Sequence, residues 1–179
     1  MTLVVLFGGA RSGKSALAVR LAEARVDPVV MIATAEALDD EMAARIAQHR
    51  RDRPDWETIE TPVELEAAIA SVPEKTTAVI DCLTVWVSNL LLAGAESDQI
   101  TARAAALADQ ARRRAGLTIA VSNEVGMGIV PDNALARRYR DALGSVNAAW
   151  ADAADHAHLL VAGRLLPLTS AEALTENLR

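Results

Sequence analysis

The sequence predicts a P-loop type α/β fold, an open and mostly parallel sheet with helices on both faces, and three observations predict it. Short apolar runs rich in β-branched residues alternate with longer Ala-rich segments of helical period, the mark of βα units. The runs are apolar throughout rather than alternating with polar residues, as in strands covered on both faces. A glycine-rich turn joins the first run to the first helical segment with the spacing of a phosphate-binding loop.

The elements follow in order. Leu3–Phe7 is the first strand, broken by Gly8 and Gly9, and Lys14–Arg25 is an amphipathic Ala/Leu/Val helix. Val29–Ala33 is the second strand. The segment from Asp39 to about Arg53 is a helix opened by acids and closed by bases, which suits the macrodipole, and Pro54 stops it. Pro62–Ser71 is a helix, Ala78–Asp81 a strand, Thr84–Ala93 and Asp98–Arg114 helices, and Leu117–Ser122 a strand. A helix from about Asn133 to Ala154 leads to a last strand, His158–Ala162. Beyond Gly163, the leucines 165, 166 and 168 around Pro167 offer a short edge strand, where proline is tolerated. Right-handed crossovers distribute the helices over both faces. No repeat, low-complexity tract or linker interrupts the pattern, so residues 1–179 are expected to form one catalytic domain.

Composition narrows the functional classes. The chain has 179 residues, 51% apolar and 23% charged, enough for an unstapled core and unlike a disordered chain. Aromatics make up only 3%, so stacking platforms for bases are scarce, and the three tryptophans are expected to pack. A net charge of −6 leaves no electrostatic footprint for nucleic acid, and a bound phosphate needs a local site. The lone Cys82 forms no internal disulfide and belongs to no metal-ligand cluster, which fits a reducing cytoplasm. The amino terminus lacks the basic lead and apolar length of a signal peptide, and no apolar run reaches the roughly 18 residues of a membrane span.

Four segments carry candidate chemistry. Gly8-Gly9-Ala10-Arg11-Ser12-Gly13-Lys14-Ser15 satisfies GxxxxGK(S/T) between a strand and a helix. Its glycines let successive N–H groups point at a phosphate, Lys14 adds a point charge, and Ser15 can ligate Mg²⁺. Thr77-Ala78-Val79-Ile80-Asp81 ends an apolar strand in a carboxylate on the side where a metal-supporting acid belongs; alternatively Asp81 caps the helix that starts near Thr84. The 39–54 helix sets Arg45, His49 and Arg53 four apart on one face. Neutral imidazole among guanidinium groups suits attack on phosphorus, and the plainer alternative is a solvated cationic face. Ser122-Asn123-Glu124-Val125-Gly126-Met127-Gly128 leaves a strand end as a glycine-bearing loop, a place for an acceptor substrate or an ordinary turn capped by Asp132 or Asn133. His156 and His158 lack ligand spacing and read as structural.

Together these segments resemble the bifunctional adenosylcobinamide kinase / adenosylcobinamide-phosphate guanylyltransferase family of cobalamin biosynthesis, over nearly the whole chain. The resemblance is carried by GGARSGKS at 8–15, IAT at 32–34, DDEMAARI at 39–46 with His49 and RRDRP after it, DCLT at 81–84 and NEVGMGIVP at 123–131. It implies phosphorylation of adenosylcobinamide by ATP or GTP, then guanylylation of a histidine by GTP and passage of GMP to adenosylcobinamide phosphate. His49 would be the covalent nucleophile, with Lys14 catalytic beside it. Residues 8–15 would hold phosphates, and Ala33, Thr34, Ala35, Arg50, Arg51, Asp52, Arg53, Glu60 and Asp81 would complete the nucleotide site. Mg²⁺ would accompany the nucleotide, with no tightly bound organic cofactor, and the assembly would be a trimer. Some relatives carry a second histidine just before the reactive one; here that residue is Gln48. Asp81 stands where other members can carry Glu. Two further readings stay open at this point: a P-loop kinase of another small metabolite without a covalent nucleotidyl step, and a nucleotide-sensing module that turns nothing over.

Overall fold

The computed structural model describes residues 1–37 and 39–170. The elements run β1 (Thr2–Gly8), α1 (Lys14–Glu23), β2 (Val29–Ala33), α2 (Asp40–Arg51), β3 (Glu57–Glu60), α3 (Leu65–Ser71), β4 (Thr77–Asp81), α4 (Leu83–Leu92), α5 (Ser97–Arg113), β5 (Leu117–Asn123), α6 (Ala134–Ala153), β6 (His156–Val161) and β7 (Arg164–Pro167). They build one seven-stranded sheet of order β3-β2-β4-β5-β1-β6-β7. β1 pairs in parallel with β5 and β6, β4 pairs in parallel with β2 and β5, and β7 alone runs antiparallel on the β6 edge.

Successive side chains of a strand point to opposite faces, and the core divides accordingly. Leu3, Val5 and Phe7 of β1 join Ile32, Ile80, Trp86, Leu107, Val146 and Trp150 under α3 to α6. Leu6 joins Met31, Val79, Ile119 and Val121 under Ala18 and Ala22 of α1. Burying both faces is what the uninterrupted apolar runs require. The parallel strands all end on one edge, so Gly8, Ala33, Glu60, Asp81 and Asn123 meet there, at the crevice where α/β sheets bind ligands.

The differences from the sequence reading are local. β3 was not anticipated: Glu-Thr-Ile-Glu is short, polar but for Ile59 and without a buried residue, because it pairs only with β2 at the sheet edge. α3 begins at Leu65 rather than Pro62, since Thr61 Oγ1 accepts from Glu64 N and holds the preceding residues as a turn. The strand after Gly163 forms as β7. Trp86 and Trp150 are fully buried, whereas Trp56 is only half-buried. No described helix is long and apolar enough to cross a membrane. The last nine positions of the expected 1–179 domain, 171–179, lie outside the described residues.

Candidate active site

The phosphate loop is shaped by glycine at two points. Gly8 has φ +152°, and a Cβ there would run into the Leu160 carbonyl oxygen and approach Ser12 Oγ to 2.8 Å. Gly13, at φ +100°, is the N-cap of α1 and carries no capping side chain. The early α1 N–H groups are therefore available to an anion. Lys14 is 6% exposed, and its Nζ donates to Gly8 O (2.7 Å), Gly9 O (2.7 Å) and Ser12 Oγ (3.3 Å). The ammonium thus curls the turn around itself. Gly163 N donates to Ser12 O at 3.1 Å and braces the loop from the β6–β7 turn. Ala10 is exposed, Arg11 sits at φ 57°, and Ser15 lies half-buried in the first turn of α1.

The second part of the site lies at the end of β4. His49 Nδ1 is 4.0 Å from Asp81 Oδ2, with the two side chains 48% and 21% exposed. The N-cap of α4 is Cys82 and no side chain caps that helix, so the carboxylate turns to the imidazole instead of capping. The Asp81–Cys82 peptide is cis. Asp39 Oδ1 caps α2 by accepting from Met42 N at 2.7 Å. Arg50 pairs with Glu60 of β3, and Arg53 donates to Thr58 Oγ1 at 2.8 Å. Burial, and then the positive charge of Arg50, lower the Arg53 pKa from its usual value, opposed by Asp81 and Asp55. Arg50, Arg53, Trp56, Thr58 and Glu60 line a cavity of about 380 Å³.

The predicted residues do not all converge. His49, Arg50, Arg53, Glu60 and Asp81 gather between α2, β3 and β4. Arg51 instead donates to Gln48 Oε1 (2.7 Å), and Gln48 donates to Asp52 Oδ1 (2.6 Å). Asp52 lines a separate cavity of about 460 Å³ with Gly13, Ala16, Arg20, Gly163 and Leu165, on the phosphate-loop side. The side chain of Arg45 lies outside the described residues.

Thr34 is fully buried and acts as a tie: its Oγ1 donates to Cys82 O (2.7 Å) and accepts from Cys82 N (2.9 Å), and its backbone N donates to Asp81 O (3.3 Å). Ala33 O accepts from Thr61 N, and Ala35 is half-buried beyond the strand end. Thr58 escaped the sequence reading because β3, which presents it, is too short and polar to register; Trp56, expected only to pack, also lines the cavity beside Arg50 and Arg53. Burial, and then the Asp81 carboxylate, push the Cys82 thiol up to about 11, so it stays protonated and unreactive.

At the end of β5, the loop beyond Asn123 leads to α6, where Asn133 Oδ1 caps by accepting from Ala136 N at 3.1 Å. Arg137 and Arg138 bind nearby carbonyls and Glu96, and Arg140 pairs with Asp141. Met127, Ile129 and Val130 are 78%, 96% and 62% exposed. Among the described residues no three His, Cys, Asp or Glu side chains cluster as a metal cage. The Ser15 hydroxyl and the partly exposed Asp81 carboxylate are a donor set that suits Mg²⁺, which keeps several waters and takes phosphate oxygens rather than requiring a protein cage.

Comparison with known proteins identifies the family. Residues 3–168 match the family described as cobinamide kinase / cobinamide phosphate guanyltransferase. The bifunctional adenosylcobalamin biosynthesis protein CobP of Pseudomonas aeruginosa is 43% identical over 92% of this chain and 95% of its own. The proteins named bifunctional adenosylcobalamin biosynthesis protein CobU from Escherichia coli and Salmonella typhimurium are 40% and 42% identical, each over 90% of this chain and 96% of theirs. A solved structure from Pyrococcus horikoshii OT3 shares the fold with a TM-score of 0.59 at 8% identity, covering 95% of this chain and 87% of that one.

Proposed function

Since the chain belongs to the cobinamide kinase / cobinamide phosphate guanyltransferase family, we propose that one sheet edge serves both reactions, with Lys14 and the phosphate loop common to them and His49 the covalent nucleophile of the second. The enzyme is a cobinamide kinase and a cobinamide phosphate guanylyltransferase. In the first step ATP or GTP gives its γ-phosphoryl group to the hydroxyl on the aminopropanol arm of adenosylcobinamide. In the second, GTP gives GMP to adenosylcobinamide phosphate, yielding adenosylcobinamide-GDP.

The observation that carries this reading is His49 Nδ1 at 4.0 Å from Asp81 Oδ2, with Arg53 in the same electrostatic neighbourhood. A carboxylate on the Nδ1 side favours the tautomer with its proton there and leaves Nε2 as the nucleophile. Nε2 attacks the α-phosphorus, the N–P bond forms, the bond to the β-phosphate oxygen breaks, and pyrophosphate leaves. The acceptor phosphate oxygen then attacks the same phosphorus and the N–P bond breaks. Two displacements replace one direct transfer between two anions. Lys14 and the α1 N–H groups hold the β- and γ-phosphates, and Arg50 and Arg53 offset charge on the α-phosphate. Ser15 and Asp81 would hold Mg²⁺, which would neutralise part of the triphosphate charge. The acceptor meets the 124–131 loop, whose exposed Met127, Ile129 and Val130 offer apolar contact to a macrocycle.

We read residues 1–179 as one catalytic unit working in the cytoplasm as a homotrimer. Incubation with GTP labelled at the α-phosphate is expected to leave acid-labile label on the protein and none on His49→Ala. Label retained by that variant, or adenosylcobinamide-GDP made without an adduct, would overturn the covalent route. Phosphoryl transfer with no adduct at all would leave a simple P-loop kinase.

A further inference from the structure

The kinase half of this reading lacks a group to take the proton of the acceptor hydroxyl, and the strand order narrows the candidates. The phosphate loop leaves β1, whose neighbours are β5 and β6. β6 ends without an acid, whereas β5 is followed at once by Glu124. Of the acids at or just beyond the other strand ends, Glu60 pairs with Arg50, Asp81 faces His49, and Glu36 follows β2, which β4 and β5 separate from β1; Asp52, on the phosphate-loop side, accepts from Gln48. We propose that Glu124 is the catalytic carboxylate of phosphoryl transfer, orienting the acceptor hydroxyl and accepting its proton. This rests on the kinase activity assigned above and is independent of His49.

Three further observations support it. Glu124 N donates to Gly8 O at 3.1 Å, and Lys14 Nζ donates to that same oxygen at 2.7 Å, so one carbonyl joins the Glu124 backbone to the phosphate-binding ammonium. The residue before it is clamped on both sides. Asn123 N donates to Thr84 Oγ1 of α4 (2.6 Å), Asn147 Nδ2 of α6 donates to Asn123 O (2.9 Å), and Ser122 Oγ donates to Asn147 Oδ1 (2.6 Å). Ser122, Thr84 and Asn147 are all buried, so this network holds the exit of β5 rigidly, as a reacting group requires. The Glu124 carboxylate accepts from Gly126 N, and a Cβ on Gly126 would come within 2.9 Å of it. Among the described residues it pairs with no cation, which leaves its charge for an incoming hydroxyl.

The step balances. The hydroxyl oxygen bonds to the γ-phosphorus as the bond from that phosphorus to the β–γ bridging oxygen breaks; the nucleoside diphosphate departs, and the hydroxyl proton passes to Glu124 and then to water. The test separates the two half-reactions. Glu124→Gln is expected to lower kcat for phosphoryl transfer from ATP to adenosylcobinamide by about 10²-fold or more, with the acceptor KM within threefold, while the α-labelled GMP adduct still forms. Glu124→Asp should recover part of kcat. A loss under tenfold in Glu124→Gln overturns the proposal. So does loss of adduct formation in parallel with phosphoryl transfer in both variants, which would make Glu124 structural. Failure of the wild-type protein to form any adduct would sink the histidine route and leave this proposal standing.

Discussion

Thr34 offers a measurable link between buried hydrogen bonding and chemistry at Asp81. Thr34→Val keeps the branched shape of the side chain and replaces the hydroxyl with a methyl group, at a position with 0% exposure. Two bonds disappear, Thr34 Oγ1 to Cys82 O and Cys82 N to Thr34 Oγ1. Their losses are unequal. Cys82 O keeps a second donor, Trp86 N at 3.3 Å, so losing the first costs about 1 kcal/mol. Cys82 N loses its acceptor inside the protein, which costs a further ~1–3 kcal/mol. The variant should therefore be less stable by about 2–4 kcal/mol in urea unfolding. Because the same hydroxyl holds the peptide after Asp81, adduct formation should slow in Thr34→Val and return in Thr34→Ser, which restores the oxygen. A stability change below about 0.5 kcal/mol, the usual range for a surface substitution, would refute the assignment of Thr34 as the tie between β2 and β4.

Two predictions concern titration. Burial alone would raise the Glu66 carboxyl, but hydrogen bonding from Arg103 and from its own backbone more than offsets this and holds it below its ordinary value of 4.5. The contribution is therefore complete above that value and is lost as pH falls through the lower folded-state pKa, so the stability gap between wild type and Glu66→Gln should close between pH 7 and strong acid; a gap that does not change with pH would contradict it. With its pKa near 11, the Cys82 thiol should react with iodoacetamide at pH 8 on the order of 10²-fold more slowly in the native protein than in urea, and equal rates would show the thiol to be accessible and ordinary.

What could be read from the sequence depended on how many residues each feature used. β1, α1 and the glycine turn form a continuous local signal, and the structure meets it within two residues at each end. β3 carries no such signal, because an edge strand of four residues needs neither buried face nor length. The histidine was visible as a residue type, but its partner was not: Asp81 lies 32 positions away, and only the β2–β4 pairing and the course of α2 bring the two within 4.0 Å. The same holds for Asn147, a polar residue inside an apolar helix stripe, whose purpose appears only when β5 ends beside it. Spacing also promised more of the basic run than it delivers. Arg50 and Arg53 reach β3, while Arg51 is tied to Gln48 along the helix, because consecutive residues on a helix cannot share a face.

The packing of α2 bears on the proposal that one sheet edge serves both transfers. In α2 only Met42 and Ile46 are even half-buried among the side chains described, and the helix is joined to the sheet chiefly by Arg50 with Glu60 and by the proximity of His49 to Asp81. α1, in contrast, seats Ala18 and Ala22 fully against the sheet. A helix with so little apolar burial lies at the low end of local stability, where a bound ligand that favours one position needs little free energy to select it. The phosphate loop, wrapped around the buried Lys14 and braced by the β6–β7 turn, and the clamped exit of β5 have the opposite character. On the proposed reading, rigid parts would hold the phosphates and the acceptor, which both reactions need in one place. The proposed nucleophile His49, which only guanylyl transfer would need, sits on the loosely packed element.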